Sequence, residues 1–225
     1  MSWSGGKDCT MALYQYMQDT GQKPDGLLTA YSTDFNRVTM HGVPMALIKA
    51  QAESIGISHY TLGLPKDVTD TLYEELLLDK YEKLKEEGFD EVVFGDIFLE
   101  DLRSYRIEQL VQAGLKYRFP LWKRDTSELI SEFVSLGFKT MIVSLNGSLL
   151  PKDFAGRVIE ASFIQKLPDG VDPCGENGEF HTFVYDGPLF ENPIDFEKGN
   201  TIERTYTSPS AGSMIRYWFT DLIKK

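Results

Sequence analysis

The sequence predicts an α/β protein with a mainly parallel sheet, followed after residue 145 by a smaller α+β unit. Short β-like runs alternate with longer helical ones through the first two-thirds of the chain. Gly21, Gly56, Gly88 and Gly114 each stand where a helical run has to stop. Past about Asn146 the alternation weakens, and Gly, Pro and Asp become frequent from Pro168 to Pro193. These observations divide the chain into residues 1–145 and 146–225.

Met1-Ser2-Trp3 is a short β-like start. Thr10 to Asp19 follows with Met11, Leu13, Tyr14 and Met17 at helical spacing. Leu27–Tyr31 reads as a strand, Met45–Ile55 as a helix and His59–Leu62 as a strand. Leu72–Glu86 is a helix with a strongly charged outer face. Glu91–Phe94 is a buried strand run that delivers Gly95-Asp96 at its C-terminal end, where ligands of open α/β sheets collect. Tyr105–Ala113 is helical, Tyr117–Phe119 is a strand stopped by Pro120, Thr126–Ser135 is a helix and Lys139–Leu145 the next strand.

At 225 residues the chain buries roughly 70% of its unfolded surface. Its 42% hydrophobic and 25% charged residues are those of a globular protein rather than a disordered one. No apolar run approaches the ~20 residues of a membrane span, and no signal segment is apparent, so the expected address is the cytoplasm. A net charge of -11 argues against a broad nucleic-acid footprint. Cys9 and Cys174 make no CxxC pair, and His41, His59 and His181 show no zinc spacing.

Ser4-Gly5-Gly6-Lys7-Asp8 lies between a β-like start and an amphipathic helix, where a glycine turn aims backbone N–H groups at an anion and the helix dipole adds to the attraction. Paired glycines permit a close approach by phosphate, and Lys7 supplies charge beyond the reach of the amides. Asp8 either holds Mg²⁺ or orients Lys7; the plainer alternative is a turn with Asp8 as a helix cap. The string is neither GxxxxGK[ST] nor GxGxxG, so no motif supports a Walker-type NTPase or a dehydrogenase.

The segment resembles the SGGxD[ST] PP-loop of the N-type ATP pyrophosphatases, a branch of the adenine nucleotide α-hydrolases. Gly95-Asp96-Ile97, Tyr105-Arg106-Ile107-Glu108, Pro120-Leu121-Trp122, Arg124-Asp125 and Cys174 to Phe183 follow in the order expected of the diphthine ammonia ligase (diphthamide synthetase) family. There they read approximately GDI, YxRxRVE, PLWxRD and CGEGGE[FY]ET. The resemblance implies a doubly wound, HUP-like nucleotide-binding domain. It also implies an ATP-dependent, AMP-forming ligase that adenylates a carboxylate with release of pyrophosphate and lets ammonia displace AMP, with Mg²⁺ accompanying the ATP. The acceptor would be a small molecule or a modified protein side chain. The runner-up readings are a PP-loop adenylating enzyme acting on another small molecule or on tRNA, and a nucleotide-binding regulatory module without turnover.

On this reading Ser4, Gly5, Gly6, Lys7, Asp8 and Cys9 lie under the phosphates, with Asp8 as metal ligand. The base points towards Tyr31, and Gly95 and Asp96 stand close by. Arg106 and Arg124 match the family motif and rank above Arg103 as contacts to anions. Glu176 and Glu179 are the catalytic candidates beside Lys7 and Asp8; the ordinary alternative is a solvated acidic loop. Three departures stand out. Only three residues precede Ser4, so the central strand is either very short or begins outside this sequence. Cys9 replaces the usual Ser or Thr, and Asn177 and His181 replace Gly and Glu. A homodimer is the default oligomeric expectation.

Overall fold

The computed structural model describes residues 1–207 and 214–225. In its first half, helices α1 (Lys7–Thr20), α2 (Met45–Ile55), α3 (Asp70–Glu86) and α4 (Glu100–Ala113) alternate with strands β1 (Gly26–Ser32), β3 (Ser58–Leu64), β4 (Glu91–Val93) and β5 (Lys116–Arg118). The two-residue strand β2 (Arg37–Val38) pairs antiparallel with β1. β1 runs parallel to β3 from Gly26↔Ser58 to Ser32↔Leu64, and β4 runs parallel to β5.

Residues 1–3 join these pairs. Ser2 N–H donates to Val93 O at 2.9 Å on one side, while Trp3 N–H donates to Leu28 O and Leu28 N–H to Met1 O, both at 2.8 Å, on the other. The order is therefore β3, β1, residues 1–3, β4, β5, with the first segment central. Successive crossovers run outward on one side and then on the other, which is the doubly wound arrangement whose switch point opens beside that central segment.

Local chemistry sets the element ends. Gly21, Gly56 and Gly114 take left-handed φ of 69°, 75° and 68° after α1, α2 and α4. Thr69 caps α3 by accepting from Leu72 N–H, and Asp125 caps α5 (Thr126–Ser135) by accepting from Glu128 N–H. Two helix starts differ from the sequence reading by three residues or more. α1 begins at Lys7, which puts Lys7 and Asp8 in its first turn, and α4 begins at Glu100 rather than Tyr105. α4 lacks a side-chain cap but carries Glu100 and Asp101 in its first turn, where carboxylates favour the helix dipole.

The larger difference lies in β6 (Lys139–Asn146). The sequence reading counts it with the N-terminal alternation, yet it pairs antiparallel with β7 (Phe180–Asp186) and β9 (Met214–Lys224), and β8 (Phe196–Thr207) completes a sheet of order β7-β6-β9-β8. Residues 140–145 are all buried, and an apolar interior strand reads alike in parallel and antiparallel surroundings.

One core cluster runs through both halves, from Trp3, Leu13, Leu27 and Ile48 to Ile142, Phe183 and Val184. A second, with Leu62, Leu77, Tyr81, Val92, Phe94 and Leu110, fills the space under α3 and α4. The parallel sheet is thus covered on both faces. No helix among the described residues is long and apolar enough to cross a membrane.

Candidate active site at the PP-loop

Trp3 delivers the chain into the turn at Ser4. Gly5 adopts φ 78°, and a Cβ there would meet Ile48 Cδ1 at 2.5 Å, so only glycine fits. The turn is held from below by Gln51, which is fully buried. Its Nε2 donates to Gly5 O at 3.0 Å and to Val184 O, while its Oε1 accepts from Trp3 Nε1–H at 3.0 Å. From the C-terminal sheet, Val184 N–H donates to Gly5 O at 2.9 Å and Thr182 Oγ1 accepts from Lys7 N–H at 2.9 Å.

Gly6 is the N-cap of α1 and provides no side-chain cap. The Cys9 thiol and the Thr10 hydroxyl both turn back to Gly6 O, at 3.1 and 2.8 Å, and Ser4 Oγ accepts from Gly6 N–H at 3.4 Å. Among the described residues no acceptor stands on the Asp8 or Cys9 amide. Uncapped N–H groups at a helix N-terminus form a ready anion site. Gly95 closes the other wall, since a Cβ there would come within 2.8 Å of the Asp8 carbonyl and the Cys9 nitrogen.

Lys7 is 3% exposed, and its Nζ lies 2.7 and 2.8 Å from the two Asp8 oxygens. Burial pulls the Lys7 ammonium down, but the Asp8 carboxylate, by charge and by hydrogen bond, leads the opposing contributions that hold its pKa above the ordinary value. Asp96, also buried, is paired with Arg106, with Nε 3.1 and 3.0 Å from the carboxylate oxygens. Arg124 pairs with Glu132 on α5. Tyr31 sits near the end of β1, on the far side of the central segment from Asp96.

The segment 172–182 reaches over from the second sheet. Glu176 Oε1 accepts from Ile97 N–H at 2.8 Å, in the turn after β4. Burial, and then the Asp8 charge, raise the Glu176 carboxyl to about 7. Glu179 has the opposite character from the solvated alternative, being 3% exposed. Its Oε1 accepts from Asp172 N–H and from Asn177 Nδ2 at 3.0 and 3.2 Å, and its Oε2 is buried without a hydrogen-bond partner. Asp172 ties the segment together by accepting from Cys174 N–H, Glu176 N–H and Thr126 Oγ1. Burial pushes the Cys174 thiol up to about 12, which leaves no thiolate for nucleophilic chemistry.

The sequence reading gave no role to Gln51, Asp172 or Thr182, nor did it pair His41 with His181. Those two rings lie 4.6 Å apart at 31°, His41 Nδ1 is 3.1 Å from Thr182 O, and burial lowers both imidazoles, His41 to about 4. Gln51 had a legible signal: it is a lone amide on the apolar Ile48, Ala52, Ile55 face of α2. The histidine pair had none, because its members are remote in sequence.

The sequence of this chain matches the family profile described as diphthamide synthase N-terminal domain over residues 1–117 and that described as diphthamide synthase C-terminal domain over residues 125–218. The two profiles therefore join before β6. The chain is 27% identical to the Danio rerio diphthine–ammonia ligase over 167 residues, which covers 72% of this chain and 64% of that protein. It is 31% identical to the Homo sapiens diphthine–ammonia ligase over 142 residues, covering 60% and 51%. With the Schizosaccharomyces pombe diphthine–ammonia ligase it shares 28% identity over 148 residues, covering 62% and 23%. This chain thus spans less than two thirds of the length of these relatives. Profiles matched across both halves of the chain, whose glycine-tight Ser4 to Asp8 turn is held by Gln51 of α2 and by β7, place the chain in the diphthamide synthase family.

Proposed function

We propose that this chain is an ATP-dependent ligase that adenylates a carboxylate and converts it to an amide with ammonia; the relatives it matches are named diphthine–ammonia ligases. The reading rests most on the convergence of the uncapped α1 N-terminus, Lys7 and Glu176 at one strand end, which puts phosphate-binding groups beside a carboxyl poised near neutral pH. The acceptor carboxylate oxygen attacks the α-phosphorus, and the bond to the β-phosphate oxygen breaks, with pyrophosphate taking the electron pair. Ammonia then adds to the carbonyl carbon and AMP leaves. Lys7 and the α1 amides offset the phosphate charge, a preorganised electrostatic contribution. Glu176 accepts the proton that nitrogen sheds as the C–N bond forms, a task suited to a pKa near the working pH.

Mg²⁺ would fit this donor set together with the oxygens of the substrate phosphates. Among the described residues no cluster of three or more His, Cys, Asp or Glu makes an all-protein cage, and Mg²⁺ is commonly bound through one or two carboxylates plus substrate phosphates. Asp8, with 34% of its side chain exposed, would hold it, and the ion would neutralise phosphate charge.

Asn177 and His181, where the family pattern has Gly and Glu, favour a second reading in which the same chemistry acts on an acceptor other than diphthine. Product analysis tests the main reading. ATP with ammonia and a diphthine acceptor should yield AMP and pyrophosphate in equal amounts in a Mg²⁺-dependent way, whereas ADP and phosphate would overturn it.

A further inference from the structure

β8 is the outer strand of the antiparallel sheet, with β9 on one side and, among the described residues, no strand on the other. It runs for 12 residues, so its free edge offers a long row of backbone donors and acceptors to which another strand can be added. Proteins commonly guard such an edge with charges and with bulges. β8 carries both, and their arrangement suits one particular partner.

The register with β9 fixes the face that each side chain takes. Phe196, Glu197 and Lys198 lie opposite Lys224, Ile223 and Leu222, and pairing resumes at Thr201↔Thr220 and continues to Thr207↔Met214. Gly199 and Asn200 together stand against the single residue Asp221, a bulge that shifts the alternation by one residue. Arg204 therefore shares a face with Glu197, and Glu203 shares the other face with Lys198. On the Glu203 face the Thr201 and Thr220 hydroxyls lie 2.9 Å apart and Glu203 meets Arg216 at 3.2 Å. On the Arg204 face Tyr206 packs edge-on against Tyr217 and Phe219, at 5.9 and 6.4 Å. Glu197, Lys198, Glu203 and Arg204 are all exposed, and among the described residues Glu203 alone of the four has an ion-pair partner.

These charges are complementary to themselves. Laid antiparallel on a second copy about a two-fold axis at Thr201, β8 sets Glu203 opposite Lys198 of the second copy and Arg204 opposite Glu197 of the second copy. Each pair shares a face, and the symmetry repeats each of them. The bulge is what makes both pairs match, since without it each would be split between the two faces. Ile202, 44% exposed, comes opposite Gly199-Asn200 of the second copy and is covered there. Centring the pairing on Glu203 or on Arg204 instead sets like charges directly against each other, which is destabilising. We infer that β8 is a homodimer interface, in which two copies of this chain join edge to edge in the Thr201-centred register and their four-stranded sheets become one continuous sheet. The inference is independent of the adenylation reading.

Sedimentation velocity of the full chain at rising concentration tests it. The native protein should pass reversibly from monomer to dimer. Arg204→Glu sets like charges against Glu197 at both ends of the interface and should weaken the dimer Kd by at least about tenfold. Combining it with Glu197→Arg exchanges the two partners and should return the Kd to within about threefold of the native value. Glu203 is left unchanged because it also pairs with Arg216 within the chain. A native protein that stays monomeric at every concentration overturns the inference. So does a dimer whose Kd is unmoved by Arg204→Glu, which would use another surface, or a double variant as weak as the single one, which would exclude this register. Should Arg204→Glu lose the native circular dichroism spectrum, Glu197→Arg alone creates the corresponding like-charge contact and carries the same comparison.

Discussion

Thr182 Oγ1 accepts the backbone N–H of Lys7 at 2.9 Å, a bond that spans 175 positions and clamps β7 of the antiparallel sheet onto the first turn of α1. Thr182→Val keeps the shape but leaves a buried amide without an acceptor, at a cost of about 1–3 kcal/mol, whereas Thr182→Ser keeps the bond. Chemical denaturation should rank native, Ser and Val in descending stability. The KM for ATP should rise in the Val variant, because the phosphate turn loses a support.

Lys7 and Asp8 set the second expectation. Asp8→Asn removes the charge partner of a buried ammonium, so it should lower stability as well as turnover, by about 2 kcal/mol once the partial exposure of Asp8 is allowed for. Bound ATP supplies replacement negative charge. Thermal melts should therefore show a larger ATP-induced rise in Tm for Asp8→Asn than for the native protein, while turnover falls by about a hundredfold. An equal rise in both would place Lys7 away from the phosphates.

The proposed role of Glu176 as proton acceptor carries an expected pH dependence. Its carboxyl is raised to about 7, so the proton-accepting form fills as pH rises through 7, and the rate should climb over that range. Glu176→Gln should remove the climb and lower the rate of amide formation by about 10²–10⁴. A pH–rate profile unchanged by the substitution would exclude Glu176 as the base.

His41 and Glu176 should tilt stability against pH in opposite senses. The folded protein holds the Glu176 proton more tightly than the unfolded chain does, so its contribution is full below about 4.5 and is lost as pH rises towards 7. His41 is held neutral, so its contribution is full above about 6.5 and is lost as pH falls towards 4. Denaturation midpoints between pH 4 and 7 should therefore gain a net upward slope with pH in Glu176→Gln and a net downward slope in His41→Asn.

Much of the N-terminal half was legible because its signals are local. Gly21, Gly56 and Gly114 end helices through a backbone conformation that glycine adopts freely, and the Ser4 to Asp8 turn announces itself by residue type alone. Gly95-Asp96 could be placed at a strand end for the same reason. The two loop glutamates could not be sorted that way. Both stand in one Gly-rich segment, yet Glu179 is the buried brace held by Asp172 and Asn177, and Glu176 is the carboxyl that meets Ile97 and feels Asp8.

The sequence by itself determined the α/β alternation, the glycine turn from Ser4 to Asp8 and the family motifs, because dihedral preference and hydrophobic period act over a few neighbouring residues. Only the tertiary structure decided the antiparallel pairing of β6, the packing of His41 against His181, and the carboxylates that pair with Arg106 and Arg124. Those outcomes depend on desolvation and on charges brought together from distant positions, and such terms exist only once the chain has closed on itself.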